Sequence, residues 1–429
     1  PDFLAPVEQY NGSSTSEEIL TSVTVRYVDW ISSFEMDASD DSSAQVFVPN
    51  LRVRNINTGE QSYHIQTSVN NAGQSDTILL SNGTYYENLV LNVKKITLRG
   101  PYLNQVNEGV IIDAQDNGVA ITISKAEITL IGLNITNSFE EEDIFTSSGI
   151  KVLSNDNNLI FNKITESFVG LLLEDTEGNT VQNNLIDEVH YGVVLTNSKD
   201  NFVSENTILS AEEHDIELTN AGYSEGSTNN RIRENFEIDS LKLKNSDNNL
   251  FIGQDATTIN LQDSANVSSI GSDYDFVICN SDSSLYLKNY FVVNVTRQGS
   301  ALQGVDLKVQ DGDEVIYSTD YFGGSDGKTA SDGFTDGILA IYKVYDGSST
   351  GTENTTHVQV RYGDWFISEQ RVFESYSMIK VDIPLFRVYN VDSEVGYNYI
   401  QTAIDNASAG DEIILSAGEF NENLRIDKS

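Results

Sequence analysis

The stretch that decides the fold runs from Gly170 to Ile208 and reads GLLLEDTEGNTVQNNLIDEVHYGVVLTNSKDNFVSENTI. It is one pattern written twice. Gly170-Leu171-Leu172-Leu173 returns as Gly192-Val193-Val194-Leu195, and Asn179-Thr180-Val181 as Asn201-Phe202-Val203. Asn184 and Ile186 return as Asn206 and Ile208, again after 22 residues. Looser copies flank the pair, at Gly149–Val152 with Asn158–Ile160 before it and Asp215–Leu218 with Asn230–Ile232 after it. Leu241–Leu243 and Asn249–Phe251 continue the pattern. Such a unit carries two short apolar strands and cannot bury their inner face alone, whereas stacked copies bury a continuous one. The spacing predicts β-coils over residues 95–260. Each rises about 4.8 Å, so roughly ten coils make a rod about 48 Å long. Asn suits the turns because it tolerates the left-handed conformation and its amide can bond the Asn one coil above. The insertion Ala221–Thr228 predicts a surface loop.

Outward from the coils lies a longer repeat. Residues 336–429 align without a gap on residues 1–94, with 35 identities. Ile65-Gln66-Thr67 becomes Ile400-Gln401-Thr402, Asp29-Trp30 becomes Asp364-Trp365, and Glu87-Asn88-Leu89 becomes Glu422-Asn423-Leu424, each at a shift of 335. A period this long describes whole domains in series. In both copies a short strand precedes an amphipathic turn of helix, with Ile65, Val69 and Ala72 matching Ile400, Ile404 and Ala407. A strand (77–80), a Gly83 turn and a strand at Asn88–Leu91 follow. Such a helix can cover the open end and edge of a first coil. Residues 285–384 alternate strand patterns with Asp-Gly and Gly-Gly turns, about seven strands in all, which predicts a β-sandwich. Val23–Tyr27 and Val46-Phe47-Val48 read as strands at the back of a sandwich whose front half is missing. Trp30 and Trp365 read as its core residues. The expected architecture is all-β, a right-handed parallel β-helix plus a β-sandwich in a tandem array with a 335-residue period. Its parts are 1–48 (end of a sandwich), 49–284 (β-helix), 285–384 (sandwich) and 385–429 (start of a second β-helix).

The segment GVVLTNSKDNFVSENTI (192–208) resembles the repeat of the carbohydrate-binding and sugar-hydrolase β-helix family, which is pectin-lyase-like and includes proteins linked to copper delivery. The likeness spans about residues 65–260 and implies fold, because the repeated residues are those that build coils. GSALQGVDLKVQDGDEVIYSTD (299–320) is similar to immunoglobulin-like or carboxypeptidase-regulatory modules of prokaryotic surface proteins.

The net charge of −40, from 65 acidic and 25 basic residues, argues against nucleic acid and anionic membranes as partners. It fits solubility in a salty or extracellular setting, or collective binding of Ca²⁺. Cys279 is the only cysteine, so no intrachain disulfide can form. Pro1 aligns inside a domain, on Asp336, so neither end reads as a natural terminus.

Catalytic sets are sparse. Polysaccharide-cleaving β-helices need paired carboxylates or an Asp cluster with a basic partner. Arg231-Ile232-Arg233 has no such partners, and the Asp40-Asp41 pair lies off the coils. The chain is therefore expected not to be an enzyme. His190 and His214 fall on adjacent coils. As neighbours they could bind a metal; alignment on Gly192 and Asp215 sets Tyr191 opposite His214 and leaves the histidines one position out of register, which favours two exposed surface histidines. Copper would need softer donors, and Met36, Met378 and Cys279 all lie off these coils. Glu166 and Glu188 repeat at 22 residues with Glu212 nearby. Solvent screens them, or Ca²⁺ bridges them. Asp326, Asp332 and Asp336 form a second Ca²⁺ candidate or a plain Gly-rich turn. Asn-x-Ser/Thr sequons occur at the expected chance frequency; Asn82, Asn134, Asn294 and Asn354 are the glycosylation candidates, and others stand at Asn11, Asn266 and Asn406.

These readings point to an extracellular, cell-surface structural protein such as a stalk, filament, sheath or adhesin. Its partners are copies of itself and, in the alternative reading, surface glycans bound or cleaved by the β-helix.

Overall fold

The computed structural model describes residues 8–9, 17–18, 20–37, 46, 48–106, 108–138, 143–219 and 229–427. Phe47, the Asp40-Asp41 pair, the Asn11 sequon and the 221–228 insertion lie outside the described residues. The chain divides into two compact units, residues 1–247 with 256–260, and residues 248–255 with 261–429.

In the first unit the coils are parallel β-strands stacked in register. Along one face run Thr77–Leu80, Thr97–Arg99, Thr129–Ile131, Asn158–Ile160, Thr180–Gln182, Phe202–Ser204 and Arg231–Arg233, each parallel to the next. Their central residues Ile78, Leu98, Leu130, Leu159, Val181, Val203 and Ile232 form one column without solvent exposure. The Arg231-Ile232-Arg233 echo is thus an ordinary coil strand, with Ile232 inward and both arginines exposed. On the opposite side the early coils use two short strands each, such as Val110–Asp113 and Ile121–Ile123. Later coils fuse them into bent strands, Lys163–Glu174, Leu185–Thr196 and Thr207–Thr219. Gly170 and Gly192 stack tightly there. A Cβ on Gly170 would lie 2.7 Å from the Gly192 carbonyl oxygen, so only glycine fits.

Two ladders of buried asparagines bind coil to coil. In the first, the Nδ2 of Asn157, Asn179 and Asn201 donates to the Oδ1 of Asn179, Asn201 and Asn230 at 2.9–3.1 Å. In the second, Asn162, Asn184 and Asn206 donate in the same way to Asn184, Asn206 and Asn235 at 2.9–3.1 Å. Each acceptor oxygen also takes the backbone N–H of the donor asparagine. The bond to the next coil is as expected. The left-handed turn falls on the residue before each ladder asparagine, which is itself an asparagine at Asn183 and Asn229, as expected, and another residue elsewhere. Asp156, Phe161, Gly178, Asn183, Asp200, Glu205, Asn229 and Glu234 all have φ between 47° and 74°. The left-handed residue turns the chain, and the following asparagine is left to span the coils.

The first coil is covered by α1, Ile65–Asn71, whose Ile65 and Val69 are buried. His64 offers no side-chain cap. The Glu87 carboxylate takes that role, accepting the N–H groups of Ile65 and Gln66 at 2.8 and 3.0 Å. Two strands precede α1, Val53–Asn55 and Gln61–Ser62, and neither Val46 nor Val48 lies in a strand. Leu20–Tyr27 and Trp30–Asp37 form an antiparallel hairpin. Its Asp29 grips the cap, accepting the N–H groups of Tyr63 and His64 at 2.7 and 2.9 Å. Burial pushes the Asp29 carboxyl up, but these two donors, with the Thr67 hydroxyl, outweigh it and hold the group below its ordinary value.

In the second unit Leu250–Ile252 and Val267–Ile270 pair in parallel, and Val267–Ile270 also pairs with Leu285–Lys288. The same strand, Ser284–Arg297, continues into an antiparallel pairing with Ile338–Asp346 and a parallel one with Ser377–Asp382. A second sheet, entirely antiparallel, runs in the order Glu314–Ser318, Asp306–Asp311, Thr356–Tyr362, Trp365–Arg371. Both sheets supply one buried cluster that includes Phe291, Val293, Leu307, Val358 and Ile379, with Trp365 at its margin. Seven of these strands have five residues or more, as the turn rhythm suggests. A second cap follows, with α2 at Ile400–Asn406. It repeats the first bond for bond. Glu422 accepts from Ile400 and Gln401 at 2.9 and 3.0 Å, and Asp364 from Asn398 and Tyr399 at 2.8 and 3.2 Å.

Asn184→Ala removes a side chain that accepts two bonds and donates two inside the dry coil interior. We expect it to lower unfolding free energy by roughly 2–4 kcal/mol, read from the shift in denaturant midpoint. A change under about 0.5 kcal/mol would show that the ladder does not hold the coils.

Candidate functional site

The outer surface of coils 163–219 carries titratable side chains in two adjoining places. The first is an open depression lined by Asn137, Glu166, Glu188, His190 and Glu212, with Asp116 at its margin. Asp116, Asn137, Glu166 and Glu188 each have φ between 50° and 56°. They mark the same corner on successive coils, where the left-handed turn bends the chain. Glu166 accepts the Thr136 hydroxyl at 2.9 Å, and Glu212 pairs with His190 Nε2 at 3.1 Å. The expected acids therefore share one depression, but Ca²⁺ bridging does not follow. Among the described residues no group of three or more His, Cys, Asp and Glu side chains is placed to hold a metal ion. The same applies to Asp326, Asp332 and Asp336. Asp326 accepts the Ser318 N–H at 2.6 Å and Asp332 the Phe334 N–H at 3.0 Å, so both shape turns.

The second place is a row of rings crossing three coils. Phe168 contacts His190 and Tyr191, with centroids 4.9 and 5.6 Å apart, and Tyr191 contacts His214 at 6.1 Å. Tyr191 does face His214, as the alignment indicates. A β-bulge between Val189 and Tyr191 absorbs the extra residue of the next coil. The signal was present in the sequence, since Tyr191 to His214 is 23 residues where the repeat is 22.

The expectation of two exposed histidines is corrected here. His190 leans on Phe168, and His214 is half-buried with Nδ1 enclosed and unbonded. Burial pushes His214 below its ordinary pKa, and Lys242 adds to this against the opposing pull of Glu217 and Glu213. Burial also raises the Tyr191 hydroxyl, with Glu217 and Glu213 contributing. Lys242 and Glu217 pair at 3.4 Å on the same face, a contact that sequence reading missed. Next to them burial raises the Asp215 carboxyl, although the N–H groups of Ser240 and Asp239 each donate to it at 2.8 Å.

The family described as "Periplasmic copper-binding protein (NosD)" matches residues 69–324, more than half the chain. The chain belongs to the NosD family. No curated protein matches the sequence. Among solved structures, a pectin methylesterase from Yersinia enterocolitica aligns at 12% identity over 49% of this chain and 90% of that one, with a TM-score of 0.32. The tailspike protein of E. coli bacteriophage HK620, in complex with a pentasaccharide, aligns at 10% identity over 68% of this chain and 67% of that one, with a TM-score of 0.30. At these TM-scores the likenesses carry no argument about activity.

The NosD description names copper, and the residues here do not fit it. His190 is engaged by Glu212, and His214 pairs with Tyr191 across the coils, one position out of register with His190. Cys279 is buried and donates to the Ser283 carbonyl, and Met378 lies on the strand Ser377–Asp382 of the second unit. No step is assigned to the metal.

The glycosylation candidates separate by position. Asn82 is exposed at the bend just before the strand Gly83–Tyr85. Asn134 lies in a paired strand with its Oδ1 enclosed, Asn294 lies within the strand Ser284–Arg297, and Asn354 donates its amide to the Ile341 carbonyl at 3.0 Å. These three are half-buried and suit modification poorly.

Because the folded pKa of His214 is depressed, its contribution to stability is complete above the ordinary value of 6.5 and is lost as pH falls through and below it. We expect the Tm to fall more steeply between about pH 6.5 and 5 in the natural chain than in a His214→Gln variant. NMR titration showing His214 at or above 6.5 would contradict this.

Proposed function

We propose that this chain is a non-catalytic, extracytoplasmic structural protein in which β-helix and immunoglobulin-like sandwich domains alternate in a covalent array. One observation carries the reading: the join between hairpin and cap is built twice with the same bonds. Asp29 and Asp364 each hold two successive N–H groups ahead of a cap helix. Glu87 and Glu422 each hold the first two N–H groups of that helix. A flexible tether needs no such bonds, whereas a stiff stalk or filament does. The high acidity suits an exposed, soluble surface, and the family description as periplasmic is in keeping with a place outside the cytoplasm. Its partners are then copies of itself.

A second reading is supported by the ring row. Tyr191 with His190 and His214 offers partly exposed rings along the outer face, on which a glycan could stack. A glycan array and a polysaccharide-cleavage assay test it, and clear turnover would displace the structural reading.

For the first reading, antibodies against residues 1–429 should label elongated surface structures on the producing cells in electron micrographs. Label found only on free globular particles would overturn it. The Asp364→Ala variant should show faster proteolysis between residues 383 and 400 with the second unit otherwise folded.

A further inference from the structure

The two joins share their carboxylate bonds but differ at three positions that meet in space. Val28, Leu51 and Gln61 of the first stand where Gly363, Phe386 and Gly396 stand in the second. In the second join the Phe386 ring lies nearly parallel to the Tyr362 ring, with centroids 6.0 Å apart. The Arg297 guanidinium lies over the Phe386 ring, 4.0 Å from its centroid, and donates to the Pro384 carbonyl at 3.2 and 3.3 Å. Both glycines make room for the ring. A Cβ on Gly396 would run into it, and one on Gly363 would lie 3.4 Å from its tip. Gly363 belongs to the hairpin turn and Gly396 to the strand Val395–Tyr397 ahead of the cap helix. Phe386 is therefore wedged across the join, and any movement of hairpin against cap must unseat it.

The first join is built more loosely. Leu51 replaces the ring, and Tyr27, Val48, Pro49, Leu51 and Gln61 line an open depression. Tyr27 is 50% exposed, whereas Tyr362 is half-buried. The hairpin turns also differ. Val28 is held at φ 58°, which is strained for a β-branched residue, whereas Gly363 adopts φ 62° without strain. Asp29 and Asp364 accept the same pair of N–H groups, but Asp364 also accepts the Asn398 carboxamide at 2.8 Å.

We propose that these three positions set the stiffness of the join, so that the second is a locked joint and the first the one that yields. Strain stored in the folded turn at Val28 lowers the cost of opening the first. The wedged ring raises the cost of opening the second. The two sets are not interchangeable singly, because a side chain at 363 presses on Phe386 and one at 396 displaces it. A series of such joints would bend at chosen places and stay straight at others. That use rests on the array reading; the difference between the joins does not.

Hydrogen exchange on the full chain tests the proposal. The first variant transplants the first join into the second, with Gly363→Val, Phe386→Leu and Gly396→Gln together. We expect the Asn398 and Tyr399 N–H groups, which Asp364 holds, to exchange about 10-fold faster, with the sandwich strand Asp306–Asp311 unchanged. The second variant, Val28→Gly, relieves the strained turn. It should slow exchange of the Tyr63 and His64 N–H groups, which Asp29 holds, by about 10-fold. Unchanged exchange at Tyr63 and His64, or at Asn398 and Tyr399, overturns the proposal. So does loss of protection throughout the sandwich in the first variant, which would show that these positions hold the sandwich and not the join. None of these results bears on whether the native protein is an array.

Discussion

A parallel β-strand cannot satisfy its backbone from nearby sequence; its partners sit a full coil away on either side. That constraint governs this molecule. Glu87-Asn88-Leu89 and Glu422-Asn423-Leu424 are identical, and among the described residues only the first leads into a strand, Leu89–Leu91, which pairs with Ile121–Ile123 of the next coil. Secondary structure in a stacked coil is a property of the stack. Termination therefore becomes a problem of chemistry. The helix cap, held by Glu87 at its N-terminus and by Asp29 at its lead-in, is the answer at one end.

The interior shows how stacking admits polar groups. Eight asparagines lie buried in two ladders, and each oxygen that accepts from a ladder neighbour receives both its amide and its backbone N–H. Leaving such a group unbonded costs about 1–3 kcal/mol, so the ladders lock the coils in one register. The left-handed residue before each asparagine makes the corner sharp enough for the next strand to start in line. Corners facing solvent carry no such obligation. Glu166, Glu188 and Asn137 occupy equivalent turns, and both glutamates are exposed there.

Much of this was legible in the residues. The 22-residue step of Gly170 and Gly192, and of Asn179 and Asn201, fixes the register seen in the coils. The 335-residue shift places Asp364 and Glu422 where Asp29 and Glu87 act. What escaped was what depends on contacts across coils. The ion pair of Lys242 with Glu217 joins adjacent coils of the outer face, and no local pattern announces it. His214 reads as exposed because it falls one position out of register with His190; the structure half-buries it opposite Tyr191. Asn134 reads as a sequon, but its strand encloses the oxygen that an accessible site would display.

The central claim is that the twice-built join belongs to a covalent series. The mass of the intact protein from its native source tests it most directly. The account predicts a mass well above 47.4 kDa, the value for 429 residues, rising by about 37 kDa for each 335-residue repeat before any glycan. A mass close to 47.4 kDa would contradict it and leave the duplicated join as a contact between separate molecules.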